Sequence, residues 1–269
     1  MEIYIPSKSQ PFTLEVVVTT ARPEKIRIIA KDITRERTYL LGRKSTVRGK
    51  RTFTLKFPVT PTEMKVFVFN AENGNLPLGE DKSFSIEHVE AKAIKHRDLL
   101  QNSDVKEFID FAEEFTLDAM NKKAGGRVPV TYKSRSGKYT IDYYDVIHDH
   151  KTGKALGTPA RIGHKTGTIE VSKKKFANYT QQMMMLILLH EFSHKYQNPK
   201  RGRRIDDEVA ADVHALHIYL GRGYSEFEAH KTFLYVFEYA KSKENHRRYK
   251  VIKDFIERYT NGEIKRSTH

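Results

Sequence analysis

Residues 181–197 read QQMMMLILLHEFSHKYQ, in which seven consecutive apolar residues precede the pattern His-Glu-x-x-His at residues 190–194. The apolar run from Met183 to Leu189 is hydrophobic on every side of a helix, which is typical of a helix buried in a protein core. It is far too short to cross a bilayer, which needs about 20 apolar residues. We therefore predict a buried helix over residues 181–197 that ends in two histidines and a carboxylate.

The spacing of this pattern places His190 and His194 on the same helix face, where both rings can reach one metal ion. Glu191 is turned toward the neighbouring quadrant, from which it can accept a proton from a water on that metal. Two histidines and a carboxylate are costly to bury on such a helix without a metal partner. The alternative is a pair of ordinary surface histidines at the end of a helix.

A second acidic segment, DDEVAAD, begins at Asp206. Glu208 and Asp212 are four residues apart and share a helix face, and the small Ala211 between them allows another helix to approach closely. Alternatively, Asp206, Asp207 and Glu208 cap the N-terminus of a helix and stabilise its dipole. Both interpretations can hold at once, with Asp206 as the cap.

Together the two segments resemble the gluzincin metallopeptidases, in which a His-Glu-x-x-His helix is followed by a Glu-x-x-x-Asp helix. The resemblance implies a zinc ion held by His190, His194 and Glu208, with Asp212 orienting one of the histidines. Asp212 or His214 would replace Glu208 as the third ligand if Glu208 does not bind. The short gap between His194 and Glu208 is similar to that of the reduced minigluzincin forms.

The side-chain inventory limits the chemistry of the site. The chain has no cysteine, so a transition metal must use histidine, carboxylate and water. The residue that stabilises an oxyanion in many gluzincins is not identifiable, and four side chains are candidates: His214, His217, Tyr219 and Tyr224. Three further histidines are expected on surface loops: His148, His150 and His164.

A short alternating strand over residues 168–172 precedes the predicted metal-binding helix. Zincins place an edge strand here, and an extended substrate can pair with such an edge. The alternative is an ordinary strand within the sheet. Lys173–Lys175 would flank the cleft and Arg201–Arg204 would lie on the loop that crosses it, which favours an acidic substrate segment.

The order of elements predicts an α+β protein with two domains. Residues 1–88 contain short runs rich in Val, Ile, Phe and Thr separated by turns such as Ala21-Arg22-Pro23, which predicts an antiparallel, immunoglobulin-like β-sandwich used for docking or assembly. Residues 89–269 are mainly helical. They are expected to form a minigluzincin-like zinc metallopeptidase domain with a small sheet and an active-site helix pair.

The net charge of +14 points to an anionic partner such as nucleic acid. The positive charge is spread over short clusters, and no helix-turn-helix or zinc-finger pattern is present. A generally solvated basic surface is therefore favoured over direct nucleic-acid binding.

Two functions follow. The first is a zinc endopeptidase in which Glu191 is the general base and a protein or peptide is the substrate. The second is an assembly protein of a phage virion (neck, tail or portal-associated), with neighbouring virion proteins as partners; it rests on a likeness of residues 218–237 to peptidase-like proteins of tailed bacteriophages. The chain shows neither a signal peptide nor a membrane span, so we expect a cytoplasmic or virion location, and an oligomer is possible.

Overall fold

The computed structural model describes residues 1–8, 11–42, 44–58, 60–73, 80–93, 103–196, 208–238 and 242–264. Within these ranges the chain forms six α-helices, an antiparallel sheet of six strands and a second sheet of four strands. The predicted α+β class is confirmed. The chain divides into two units: Met1–Leu99 with Gly223–Glu228, and Leu100–Arg222 with Ala229–His269. The predicted domain boundary at residues 88–89 stays a prediction.

The six strands of the first unit all pair antiparallel. They are β1 (Glu2–Ile5), β2 (Phe12–Asp32), β3 (Arg37–Leu41), β4 (Ser45–Phe57), β5 (Met64–Asn70) and β6 (Phe84–Ala93). They belong to one hydrogen-bonded sheet because the long strand β2 pairs with β3, β4, β5 and β6. The immunoglobulin-like arrangement stays a prediction.

The turn predicted at Ala21-Arg22-Pro23 is wrong. These residues lie inside β2, where the pairing with β4 passes from Thr20↔Gly49 to Glu24↔Val47 through a register shift. A bulge absorbs the extra residues and lets the strand continue, which a proline tolerates because the ladder is already interrupted there. The two strands predicted on either side of this turn are therefore the single strand β2.

Alternation along β2 defines the core of the first unit. In its first half Leu14, Val16 and Val18 are buried, and in its second half Ile26 and Ile28 are buried. Successive side chains of a strand point to opposite faces, so one face of the sheet is apolar along most of its length. This burial stabilises the sheet at about 25 cal/mol per Å² of apolar surface.

The second unit contains all six helices and the four remaining strands. The helices are α1 (Ser103–Asp118), α2 (Lys173–Phe176), α3 (Gln181–Tyr196), α4 (Glu208–Gly221), α5 (Glu226–Glu238, whose first three residues belong to the first unit) and α6 (Lys243–Thr260). The strands are β7 (Val130–Lys133), β8 (Thr140–Tyr144), β9 (Ala160–Ile162) and β10 (Ile169–Ser172).

The strand that was expected at the substrate edge lies inside the sheet. The order is β7-β8-β10-β9, so β10 has β8 on one side, parallel, and β9 on the other, antiparallel. The edge strand next to β10 is β9, which has three residues and was not predicted. Its neighbours Gly157 and Pro159 obscure the strand pattern.

The predicted buried helix is confirmed as α3. Every residue from Met183 to Leu189 is at most 6% exposed. The helix packs against α1, α4 and the sheet, and Phe192 stacks on Phe108 of α1 with 4.2 Å between ring centroids. Packing on several sides explains the absence of a polar face along the run. None of the described helices is both long enough and apolar enough to cross a membrane.

Candidate metal centre

The two histidines of the motif meet on one face of α3. Their Nε2 atoms are 3.1 Å apart, and their side chains are 15% and 9% exposed for His190 and His194, respectively. One turn of helix separates the two residues, so their rings project in the same direction. Two imidazole nitrogens at this separation can bind a single ion.

Glu208, the first residue of α4, completes a group of three donors. Its Oε2 lies 3.3 Å from Nε2 of His190 and its Oε1 lies 3.6 Å from Nε2 of His194. Ala211 and Ala215 are buried on α4, which packs against α3. Small side chains at such positions let two helix backbones approach closely, so a carboxylate on α4 reaches the histidine face of α3.

The donor set fits a divalent metal ion. Zinc bonds of 2.0–2.1 Å in a tetrahedron place neighbouring donor atoms about 3.3 Å apart, and the three separations here are 3.1, 3.3 and 3.6 Å. His190, His194 and Glu208 could therefore hold a metal ion together. The predicted ligand cluster is present, and zinc as its ion stays a prediction.

Asp212 lies behind His190, one turn of α4 beyond Glu208. Its Oδ1 is 2.9 Å from Nδ1 of His190, although the ring N–H is not aimed straight at this oxygen. The Asp212 side chain is only 1% exposed. A buried carboxylate at this nitrogen favours the ring orientation in which Nε2 is the metal-facing atom.

Arg248 of α6 is a member of the site that the sequence analysis missed. Its Nε lies 2.8 Å from Oδ2 of Asp212 and its Nη2 lies 2.9 Å from Oδ1 of Asp212. Nη2 is also 2.9 Å from Oε2 of Glu208. The intervals of four and eight residues from Arg248 to the buried Ile252 and Ile256 were a usable signal for the inner face of α6.

Glu191 is 9% exposed and lies beside the three donors in the same cleft. Its carboxylate accepts a hydrogen bond from the backbone N–H of Ile162 in β9. Burial, opposed by the charge of His190 and reinforced by the negative charge of Glu208, raises the pKa of Glu191 to about 7. A carboxylate with this pKa exchanges a proton near neutral pH.

The metal-free pKa values of two proposed ligands move in opposite directions. Burial lowers the pKa of His190, but the contacts with Asp212 and Glu208 outweigh it and raise the pKa to about 10. Burial raises the pKa of Glu208, but His190 and Arg248 outweigh it and lower the pKa to about 2. Without metal, the site therefore holds a protonated histidine against a charged carboxylate.

A cleft of about 330 Å³ in the second unit contains these residues. Its polar end is formed by the residues described above, and its apolar wall by Leu186, Ile187, Phe233 and Val236. Ala160 and Ile162 of β9 line another side. His164 is exposed, as expected for a surface loop, but its place on the cleft was not predicted.

The four candidates for oxyanion stabilisation are not among the described residues that line the cleft. Tyr219 is fully buried with its hydroxyl 3.5 Å from Gln182, and the ring of His217 contacts Phe255 and Tyr259. Tyr224 is 1% exposed and lies in the first unit. Periodicity alone could not separate these packing roles from a catalytic one.

Some expected contributors to the site have other positions or fall outside the described residues. Lys173–Lys175 lie in α2 rather than among the cleft-lining residues, and Lys173 donates to the carbonyl of Lys122. Arg201–Arg204 and the proposed caps Asp206 and Asp207 lie outside the described residues.

The cleft thus combines three donors for a metal, a buried carboxylate of raised pKa and an arginine bound to two acidic groups. This arrangement is compatible with the chemistry of a His-Glu-x-x-His helix. Comparison with models of protein families gives no match to this chain, and a search of the curated proteins gives none.

Proposed function

We propose that the protein is a zinc-dependent endopeptidase of the gluzincin type. The observation that supports this most directly is the position of Glu191, buried in one cleft with His190, His194 and Glu208. A metal site that serves only structure has no use for a further ionisable carboxylate beside the ligands that does not bind the ion. A hydrolytic site needs one as a base.

The bound ion would supply Lewis acidity that makes water acidic enough to ionise near neutral pH. His190, His194 and Glu208 would hold the ion, and Asp212 would orient His190. Glu191 would take the proton of the attacking water as the new C–O bond forms. It would then deliver that proton to the amine nitrogen as the C–N bond of the substrate breaks, which balances the hydrolysis.

An extended substrate would pair with the outer edge of β9. The N–H of Gly163 donates to the carbonyl of Thr168, and the N–H of Ser172 donates to the carbonyl of Pro159. With the register of β9 and β10, these bonds direct the backbone groups of the odd-numbered residues from 159 to 163 toward β10. The backbone groups of Ala160 and Ile162 therefore face away from β10, on the side of the cleft. Because the Ile162 N–H donates to Glu191 and the Ala160 carbonyl accepts from the Thr158 hydroxyl, a peptide would pair through the Ala160 N–H and the Ile162 carbonyl. It would then lie beside Glu191 and the metal ligands.

The test is cleavage of an unfolded protein substrate by zinc-loaded protein and by its Glu191→Gln variant. Removal of a general base reduces such a rate by about 100- to 10,000-fold, while the zinc content stays at the wild-type level. Glu257→Gln, a matched change at an exposed position of α6, leaves the rate unchanged. Cleavage by Glu191→Gln at the wild-type rate contradicts the proposal.

The first unit supports a second, separate proposal. We propose that its antiparallel sheet serves in docking or assembly, with an immunoglobulin-like sandwich as the expected form. A wild-type protein that binds zinc but cleaves no substrate would favour this assembly role, including the virion role, for the whole chain.

A further inference from the structure

The acidic residues Glu208 and Asp212 of α4 share a single arginine from α6. Arg248 holds Asp212 through two nearly parallel bonds of 2.8 and 2.9 Å, and its Nη2 also reaches Oε2 of Glu208 at 2.9 Å. Its side chain is 12% exposed and that of Asp212 is 1% exposed, so this pair is shielded from water. Bidentate arginine–carboxylate pairs of this kind fix both partners in orientation as well as in position.

We infer that Arg248 is a positioning residue of the metal centre, which presents Glu208 to the ion and fixes Asp212 behind His190. The metal site would therefore be complete only when α6 packs against α4. This inference rests on the metal centre in the proposed function, but not on peptide cleavage.

Glu208 needs a restraint from outside its own helix. It is the first residue of α4, and its side chain is 40% exposed, against 15% and 9% for His190 and His194. A side chain at the first position of a helix has no preceding turn to pack against. The bond from Arg248 to Oε2 supplies the missing restraint and limits rotation of the carboxylate.

Arg248 also bears on the balance of charge in the cleft. Glu191, Glu208 and Asp212 bring three carboxylates into it, and Asp212 is almost fully buried. An arginine remains protonated in proteins, so it balances part of this charge with or without metal. With a divalent ion, neutral histidines, three carboxylates and the arginine, the charges of the site sum to zero.

The backbone of α6 holds the guanidinium in place. Ile252 and Ile256 follow Arg248 at intervals of four residues and are buried, and the nearby Phe255 contacts the ring of His217 on α4. The arginine therefore extends from a packed helix rather than from a loop. Its position is set before a metal binds, as expected for a pre-organised site.

The test measures metal binding in Arg248→Gln, Arg248→Lys and Arg247→Gln. Arg247 is the matched control because it is the neighbouring arginine and its side chain is 71% exposed. The readouts are the zinc dissociation constant from competition with a chelator and the visible spectrum of the Co²⁺-loaded protein. The melting temperature of the metal-free protein is recorded beside them.

Loss of a residue that orients metal ligands weakens binding by about 10- to 100-fold, so we expect this for Arg248→Gln together with a changed Co²⁺ spectrum. Arg248→Lys keeps the charge but not the planar fork, and we expect intermediate affinity. Arg247→Gln stays at the wild-type value. If Arg248→Gln does not fold, the Lys variant decides the question by the same two readouts.

Wild-type zinc affinity and an unchanged Co²⁺ spectrum in the folded Arg248 variants would overturn the inference, even if they melt at a lower temperature. In that case the arginine only joins α6 to α4, and the proposed peptidase is unaffected. Conversely, weaker zinc binding in these variants, with no cleavage by the wild-type protein, supports the role of Arg248 and contradicts the peptidase.

Discussion

Nδ1 of His190 lies 2.9 Å from Oδ1 of Asp212, so the ring of the first histidine is placed between a buried carboxylate and the metal-facing side of the cleft. The carboxylate belongs to α4 and the histidine to α3, which makes the helix pair itself part of the site. Such an outer contact holds a histidine in the orientation that binding requires and raises its basicity as a ligand.

Asp212→Asn tests this contact. The amide keeps the shape of the side chain but removes the charge that faces both His190 and Arg248. We expect zinc affinity to fall about 10- to 100-fold. The metal-free protein should lose about 3 kcal/mol of unfolding free energy, because a buried arginine loses the more deeply buried of its two charged partners.

Chelator competition and urea unfolding measure the two effects of Asp212→Asn. Asp254→Asn is the control, since its side chain is 69% exposed on α6. Equal zinc affinity in Asp212→Asn and the wild type would show that the carboxylate does not orient the histidine.

The raised pKa of Glu191 predicts a pH dependence of stability in the metal-free protein. Burial, with Glu208 adding to it and His190 and Arg248 opposing, raises the folded-state pKa to about 7 from an ordinary 4.5. The folded state binds this proton more tightly than the unfolded state does. The contribution of Glu191 to stability therefore falls as the pH rises from 4.5 to 7 and stays low above that.

Glu191→Gln removes the loss of unfolding free energy that ionisation of the buried Glu191 causes. The variant should match the wild type below pH 4.5 and exceed it by roughly 3 kcal/mol in unfolding free energy at pH 8. Urea titrations of metal-free protein at several pH values measure the difference. A constant difference across this range would show that Glu191 does not titrate as a buried group.

Zinc binding should release a proton from His190. Its contacts with Asp212 and Glu208 outweigh burial and raise its metal-free pKa to about 10, so the ring is protonated at pH 8. The ion needs the neutral ring, and about one proton must leave per ion bound. Affinity should therefore rise with pH up to about 10.

Calorimetry in buffers of different ionisation enthalpy counts the protons released on zinc binding. Tris and phosphate at pH 8 should give apparent enthalpies that differ by the ionisation enthalpy of about one proton. Identical enthalpies in the two buffers would rule out a protonated His190 in the metal-free site.

Phe192 links the motif to the core of the second unit. It is 1% exposed and stacks on Phe108 with 4.2 Å between ring centroids. Phe192→Ala should cost about 3–5 kcal/mol in unfolding free energy, measured by urea titration of metal-free protein. Val128→Ala at a 78% exposed position should cost almost nothing, and equal losses would contradict the burial of Phe192.

The sequence was most informative where a pattern is local. Helix α3 follows from the apolar run Met183–Leu189. The shared face of His190 and His194, and that of Glu208 and Asp212, follow from a spacing of four residues. Strand β9 was missed because three residues between Pro159 and Gly163 are too few for a periodic signal.

Arg248 was missed for a different reason. It is 36 residues beyond Asp212, and only the packing of α6 on α4 joins them. The merging of two predicted strands into β2 has a similar origin, because pairing with β4 continues on both sides of Pro23. Contacts between distant segments override local turn signals in such cases.

The most direct test is the metal content of the purified protein by native mass spectrometry, for the wild type and for His190→Ala, with His150→Ala as a control whose side chain is 72% exposed. One zinc ion per chain in the wild type and the control, and its loss in His190→Ala, is the predicted result. Absence of zinc from the wild type after incubation with the metal, or its retention in His190→Ala, would contradict the metal centre.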